Sequence, residues 1–427
     1  MMEKISYKSL SKEQLVALRD ELSKKYDDYV SCGLKLDMSR GKPAPNQLDL
    51  SEGLLNIISK NEDVADVTPD VRNYGGLDGL PEMKKIFADM LGVKTSEVIV
   101  GGNASLTMMF DMVSRSVTHG VLGNTPWSKL SEVKFLCPVP GYDRHFSICE
   151  CFGIKMIPIA MTGEGPDMNE VKKYVESDAS VKGIWCVPKY SNPTGITFSD
   201  DVVKKLASLK PAAPDFRIFW DNAYCVHDLY DESDKLLNIL DECRKAGNED
   251  MCYIFASTSK VSFPGAGVAV MAMSEANIAD TKKILAMQMI GPDKINQLRH
   301  IKFFRDLDGI RAHMKKHAAI LAPKFEMVVK TFEEELRGLD IADWTAPNGG
   351  YFISLDVLPG CAKRVHKLMA EAGVVMTGCG ATFPYGNDPQ DTNLRIAPSY
   401  PSVDELKTAT ELLCLCVKLA AIEKLIG

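Results

Sequence analysis

The stretch Cys252-Tyr253-Ile254-Phe255-Ala256-Ser257-Thr258-Ser259-Lys260, with the run Gly267-Val268-Ala269-Val270-Met271-Ala272-Met273 that follows it, decides the fold. Each run is apolar, too short for a helix and bounded by turn residues, so each reads as a strand. Neither alternates in polarity, which is the mark of a sheet covered on both faces. About nine residues separate Ser257 from Gly267. That is too few for a crossover helix, so the second strand must return antiparallel to the first.

Five earlier runs share the character: Glu97 to Gly101, Lys134 to Pro138, Lys155 to Ile159, Gly183 to Val187 and Arg217 to Asp221. Helix-like segments separate most of them, which predicts an α/β fold, a mostly parallel seven-stranded sheet with helices on both faces. A long helical region follows from about Ile278 to Leu336. Beyond it, strands at Gly349 to Asp356 and Leu394 to Ala397, a helix over Ala362 to Ala372 and a last helix from Ser402 predict a smaller α+β unit. Residues 11–30 form an amphipathic helix, with Leu15, Leu18, Leu22, Tyr26 and Tyr29 at intervals of three or four and Ser11 and Gln14 as its capping pair. Having no core of its own, this helix is expected to join the C-terminal unit. The expected organisation is therefore 1–60 and 306–427 as two parts of a small domain, around a large domain at 61–305.

The 427 residues are 45% hydrophobic and 25% charged, a globular composition without biased or repeated segments. A formal charge of −7 argues against nucleic acid and anionic lipid as partners. No stretch reaches the roughly 18 uncharged apolar residues of a membrane span, and the first residues lack an apolar export signal. With twelve scattered cysteines and no CxxC pair, the expectation is a cytoplasmic protein with reduced, buried thiols. Cys414, Cys416, Met287 and Met289 read as core packing. His313 and His317 are four apart, but Lys315 and Lys316 stand between them, so a solvated helix face is expected and no metal. Neither a dinucleotide fingerprint nor a GxxxxGK[ST] loop occurs.

In an open α/β sheet the ligand lies beyond the carboxyl ends of the strands. There the chain places Gly101-Gly102-Asn103-Ala104-Ser105, Pro140-Gly141-Tyr142, Tyr190-Ser191-Asn192-Pro193-Thr194-Gly195, Asp221-Asn222-Ala223-Tyr224 and Ser257-Thr258-Ser259-Lys260. The first opens a helix whose exposed N–H groups suit a phosphate. Each alone is ordinary turn chemistry; their order and spacing together are specific.

That order, with Ser39-Arg40-Gly41-Lys42-Pro43, Asn73-Tyr74-Gly75-Gly76-Leu77-Asp78-Gly79-Leu80 and Arg395-Ile396-Ala397-Pro398-Ser399-Tyr400-Pro401, resembles the class I and II aminotransferases among the fold-type I pyridoxal-phosphate enzymes. The resemblance covers nearly the whole chain and is greatest to the divergent bacterial aspartate aminotransferase branch. It implies pyridoxal 5'-phosphate as cofactor and Lys260 as its Schiff-base lysine, an attackable amine that also carries the substrate proton. It implies Asp221 against the pyridine nitrogen, Asn192 and Tyr224 on the 3'-oxygen, Tyr142 stacked on the ring, and Asn103, Ala104, Ser105 and Ser257 around the phosphate. Arg395 would clamp the substrate α-carboxylate, with Asn192 beside it and Gly41 opposite. Tyr74 would reach the phosphate of a second copy, which implies a homodimer with shared active sites. The activity implied is exchange of an amino group between an amino acid and a 2-oxo acid, by alternation, with aspartate or glutamate and 2-oxoglutarate or oxaloacetate as substrates. β-Elimination or decarboxylation by the same cofactor, or a non-catalytic sensor domain, are the alternatives.

The chain departs from the family at one point. An arginine about eight residues past the lysine usually neutralises the phosphate, and Pro264-Gly265-Ala266-Gly267-Val268 has none. Lys294, Arg299 and Lys42 are the candidate replacements, and Arg40 and Lys294 are candidates for a second substrate carboxylate.

Overall fold

The computed structural model describes residues 5–65 and 67–427. Its strands in chain order are β1 (Leu36–Asp37), β2 (Val98–Val100), β3 (Lys134–Val139), β4 (Lys155–Thr162), β5 (Gly165–Pro166), β6 (Val181–Cys186), β7 (Arg217–Asp221), β8 (Cys252–Ser257), β9 (Ala269–Ala272), β10 (Ala342–Trp344), β11 (Ile353–Val357), β12 (Val374–Val375) and β13 (Asn393–Ile396). The main sheet has the order β2-β9-β8-β7-β6-β3-β4-β5. Strands β4, β3, β6, β7 and β8 run parallel. As the short return after Ser257 requires, β9 is antiparallel to β8, and also to β2.

Two details differ from the expectation. The two-residue β5 adds an eighth strand, antiparallel at the edge beside β4. β4 itself is not apolar throughout: Met156 and Ile159 are buried while Lys155 and Pro158 are exposed, because near the edge one face loses its helix cover. The central strands behave as predicted. Along β7, Ile218 and Trp220 enter one core and Phe219 the opposite one, so both faces are sealed. Packing of this kind holds the strand ends rigidly, and the site is built on them.

The helical region divides into Glu275–Gln288, Lys294–Phe304 and Leu307–Glu335. The helix Lys12–Ser31 starts at the Ser11 and Gln14 capping box. Its Leu15 and Leu22 share a third core with the helix Val403–Ile426 and the antiparallel sheet β10-β11-β13. The short β1 pairs with β12, tying the segment that leads into Ser39 and Arg40 to the C-terminal part of the chain.

Some surface assignments are overturned. His313 and His317 are buried, with Nε2 atoms 3.1 Å apart. His313 Nε2 lies 2.9 Å from the Val261 carbonyl and His317 Nδ1 lies 3.1 Å from Gln47 Nε2. The helix turns this face inward and Lys315 outward to Asp231. Burial lowers both imidazoles, His317 to about 4. Among the described residues no group of three or more His, Cys, Asp or Glu could hold a metal, and no helix is long and apolar enough to cross a membrane. All twelve cysteines are free; Cys414 and Cys416 are buried, but Cys32 and Cys151 are exposed. Met287, expected in the core, is 87% exposed.

One buried ion pair ties the sheet together. Lys182 Nζ donates to Asp215 Oδ1 at 2.6 Å and Trp127 Nε1 donates to Asp215 Oδ2 at 2.8 Å, all three residues being buried. Asp215→Ala strands the Lys182 charge and the indole N–H, and should cost about 3–5 kcal/mol. Denaturant unfolding should show the lowered midpoint; an unchanged midpoint would mean that water reaches Lys182.

Candidate active site

The carboxyl ends of β7 and β8 lie side by side, with Asp221 paired to Phe255 in register. Asp221 is 3% exposed. His145 Nε2 donates to its Oδ2 at 3.1 Å, while Oδ1 is buried without a partner. His145 stacks on Trp185, with centroids 4.4 Å apart, and Tyr142 meets it edge-on at 5.0 Å. A buried carboxylate oxygen left unpaired is costly. It marks a place where a cationic N–H donor belongs.

Lys260 lies one turn beyond β8, its Nζ 5.0 Å from the Tyr224 ring centroid and 5.9 Å from that of Tyr351. Burial holds its amine below the ordinary lysine range, against an opposing pull from the Asp221 charge. The Tyr224 phenol is driven far up, chiefly by burial, so its O–H remains a donor at neutral pH. Burial, with Asp221 adding to it, raises Tyr142 to about 12.

The two loops expected to hold a phosphate meet. Ser257 Oγ donates to Ser259 Oγ at 3.0 Å, and Ser259 Oγ to the Asn103 carbonyl at 3.0 Å. The helix Ser105–His119 starts there behind Ala104, which has no capping side chain, so its first-turn N–H groups stay open. A Cβ on Gly267 would come within 3.0 Å of the Asn103 oxygen and 3.2 Å of the Ser259 nitrogen. A side chain here would press on both backbones, which would have to give by a few tenths of an ångström.

Arg395, on β13, turns toward the same space. Its Nη1 donates to Asp143 Oδ1 at 3.2 Å and Asn192 Oδ1 at 3.3 Å; Nε and Nη2 both reach Thr377 Oγ1 at 3.4 Å. All are long for charge-assisted bonds, so a carboxylate could replace them with shorter ones. The guanidinium lies 4.9 Å over the Phe352 ring, and a Cβ on Gly41 would sit 2.3 Å from that ring. Gly41 and Arg395 thus share the Phe352 ring as a neighbour. Tyr74 is not brought into this cluster: it is 80% exposed.

His145, Asp143, Thr377, Tyr351 and His227 escaped sequence reasoning. His145, three residues past Tyr142 on the helix Asp143–Cys151, could have been found by its helical spacing. The others reach the site by tertiary packing. His227 is 3% exposed with neither nitrogen bonded, and burial, with Lys260 nearby, lowers it well below the ordinary range.

The donor set suits one class of ligand: a planar, cationic aldehyde bearing a phosphate. The unpaired Asp221 oxygen, the depressed amine and the open helix N-terminus match its three functional groups. The fold and site thus define a fold-type I aminotransferase. The aspartate amino-transferase family model matches residues 10–427, and the chain belongs to that family. It is 48% identical to a putative aminotransferase of Mycolicibacterium smegmatis over 99% of this chain and 100% of that one. It is 45% identical to an aspartate transaminase from Corynebacterium glutamicum whose crystal structure superposes with a TM-score of 0.96 over 99% of both chains. An α-aminoadipate aminotransferase from Thermus thermophilus, complexed with N-(5'-phosphopyridoxyl)-L-leucine, shares the fold at 19% identity, with a TM-score of 0.71 over 92% of both chains.

The electrostatics predict how the Lys260 amine titrates. In cofactor-free protein, reductive methylation of Lys260, followed by peptide mass spectrometry, should have its midpoint below the ordinary lysine value of about 10.4. Asp221→Asn removes the charge that raises it, so the midpoint should move lower still. A midpoint at or above the ordinary value would show that water, and not burial, governs this lysine.

Proposed function

We propose that this protein is a pyridoxal 5'-phosphate-dependent aspartate aminotransferase. It would exchange an amino group between aspartate or glutamate and 2-oxoglutarate or oxaloacetate, in a homodimer with shared sites and in the cytoplasm. What carries the reading is the meeting of Lys260, Asp221 and Arg395 in a chain 46% identical, over 424 residues, to a C. glutamicum aspartate aminotransferase. Residues 61–305 would hold the cofactor, and 1–60 with 306–427 would form the second domain, in keeping with the shared core of the first and last helices.

When bound, pyridoxal 5'-phosphate supplies the conjugated ring that accepts the electron pair released at the substrate α-carbon. The chain does the rest. Asp221 Oδ1 would accept from the ring N–H and preserve its charge. Tyr224 with its phenol and Asn192 with its amide would hold the 3'-oxygen, and Tyr142 would cover one ring face. Asn103, Ala104, Ser105 and Ser257 would hold the phosphate. Lys260 Nζ, whose amine burial holds below the ordinary lysine range, would be the group that joins the cofactor carbonyl and that moves the proton at the α-carbon. Arg395 fixes the α-carboxylate by a two-pronged grip, which sets the α-carbon against Nζ.

Of the two cations considered for a second carboxylate, Lys294 is committed elsewhere: its Nζ donates to the Asn73 and Gly75 carbonyls at 2.7 and 2.8 Å. Arg40 is exposed and stands between Ser39, whose carbonyl accepts from Thr377 Oγ1 at 2.7 Å, and Gly41. It thus flanks the Arg395 pocket, and we assign it the substrate side chain. The protein should transaminate aspartate with 2-oxoglutarate faster than it does alanine. Arg40→Gln should raise the KM for aspartate roughly 10- to 100-fold, the worth of a hydrogen bond to a charged group, and leave that for alanine unchanged. Equal use of alanine and aspartate would contradict the substrate assignment.

Tyr74 is 80% exposed, next to Gly75, whose carbonyl lies 2.4 Å from where a Cβ on Gly291 would sit, and is open to a second copy. Mixing Tyr74→Ala with Lys260→Ala subunits should form heterodimers with one doubly damaged and one intact site. Random exchange makes about half of all dimers of this kind, so up to about a quarter of the wild-type sites should return. No gain after demonstrated exchange would mean that Tyr74 acts within its own chain.

A further inference from the structure

The loop from Val261 to Val268, which follows Lys260 and lies against the Ser257, Ser259 and Asn103 cradle, contains neither lysine nor arginine. A dianion placed there needs a cation from elsewhere in the fold. The helix Lys294–Phe304 packs directly on this loop. Asn296 Nδ2 donates to the Ala266 and Gly267 carbonyls, each at 3.0 Å. One turn on, His300 Nε2 lies 2.8 Å from Ser262 Oγ and 3.1 Å from Thr258 Oγ1. Residues 296, 299 and 300 share one face of a helix, so Arg299 faces the same loop as these two anchors.

Arg299 is singular among the arginines. It makes no hydrogen bond or ion pair with any described residue, and its Nε is buried without an acceptor. Arg40, Arg144 and Arg305 also lack such partners, but they are exposed to water, whereas Arg299 is half-buried. A guanidinium N–H removed from water and given no acceptor is costly. The economical explanation is an anion that completes it. The other candidate cations are occupied: Lys294 by the two backbone carbonyls, and Lys42 by the Tyr400 ring, 3.9 Å from its Nζ.

We infer that Arg299 is the cation that receives the cofactor phosphate, reaching it from the helix beneath the loop and not from the strand that follows Lys260. The inference rests on the proposed cofactor and deepens that reading. Serine hydroxyls and helix N–H groups share the dianion with a single charged fork. The role is binding and orientation, distinct from the covalent role of Lys260.

The test is equilibrium binding to cofactor-free protein, read by absorbance, of pyridoxal 5'-phosphate and of pyridoxal, which has the same ring and aldehyde without the phosphate. Arg299→Gln should weaken pyridoxal 5'-phosphate roughly 10- to 100-fold, the worth of a charge-assisted hydrogen bond to an anion. Affinity for pyridoxal should stay within about twofold of wild type. Inorganic phosphate should compete with pyridoxal 5'-phosphate less effectively in the variant. Arg299→Lys, which keeps the charge but loses the fork, should fall between, and serves as the test if Arg299→Gln does not fold. Equal weakening of both ligands, or no weakening of either, overturns the inference. Failure of the wild-type protein to bind pyridoxal 5'-phosphate would instead overturn the cofactor reading itself.

Discussion

Asp221 is a buried carboxylate with one oxygen on His145 and the other on nothing, and the arrangement of the site follows from how that charge is tolerated. A lone buried carboxylate is expensive. Here a bonded imidazole supports it from within the chain, and the unpaired Oδ1 leaves room for a cation from without. The charge acts back on its surroundings. It opposes the depression of Lys260 and helps raise the phenols of Tyr142 and Tyr224. Burial thus keeps two phenols as donors, with this charge adding to it, and lowers the amine of Lys260 against the same charge.

The sheet makes this possible. Parallel strands sealed on both faces bring their carboxyl ends to one edge, where polar groups can converge without disturbing either core. The antiparallel return of β9 folds the loop after Lys260 back against the Asn103 turn, where Gly267 lies close to the Asn103 carbonyl. Arg395 comes from the other sheet, β10-β11-β13, and carries Phe352 and Gly41 with it. The proposed substrate pocket draws on residues from two separately packed cores. A change in how these cores sit against each other would move Arg395 relative to the Lys260 amine.

Much of this was legible in the chain. The central strands, the antiparallel return, the capping box of the first helix and the groups at the strand ends depend on local chemistry: unbroken apolar runs, turn lengths and cap residues. Legibility failed wherever burial is decided by distant partners. Lys315 and Lys316 suggested a wet face for His313 and His317, yet both histidines are enclosed against Gln47 and Val261. Met287 read as core and is 87% exposed. β4 read as fully buried, although its place next to the edge cannot be inferred from its own residues.

The sequence by itself determined the order of elements and the chemical inventory at the carboxyl edge, because periodicity, turn length and side-chain type are local properties that neighbours along the chain enforce. Only the tertiary structure decided how cations of equal charge are employed. Lys294 is consumed by backbone carbonyls, Lys42 lies on Tyr400, Arg395 is held in long, replaceable bonds, and Arg299 is half-buried without an acceptor. A charge is free to act only after every group folded around it has been counted, and those groups come from segments hundreds of residues apart.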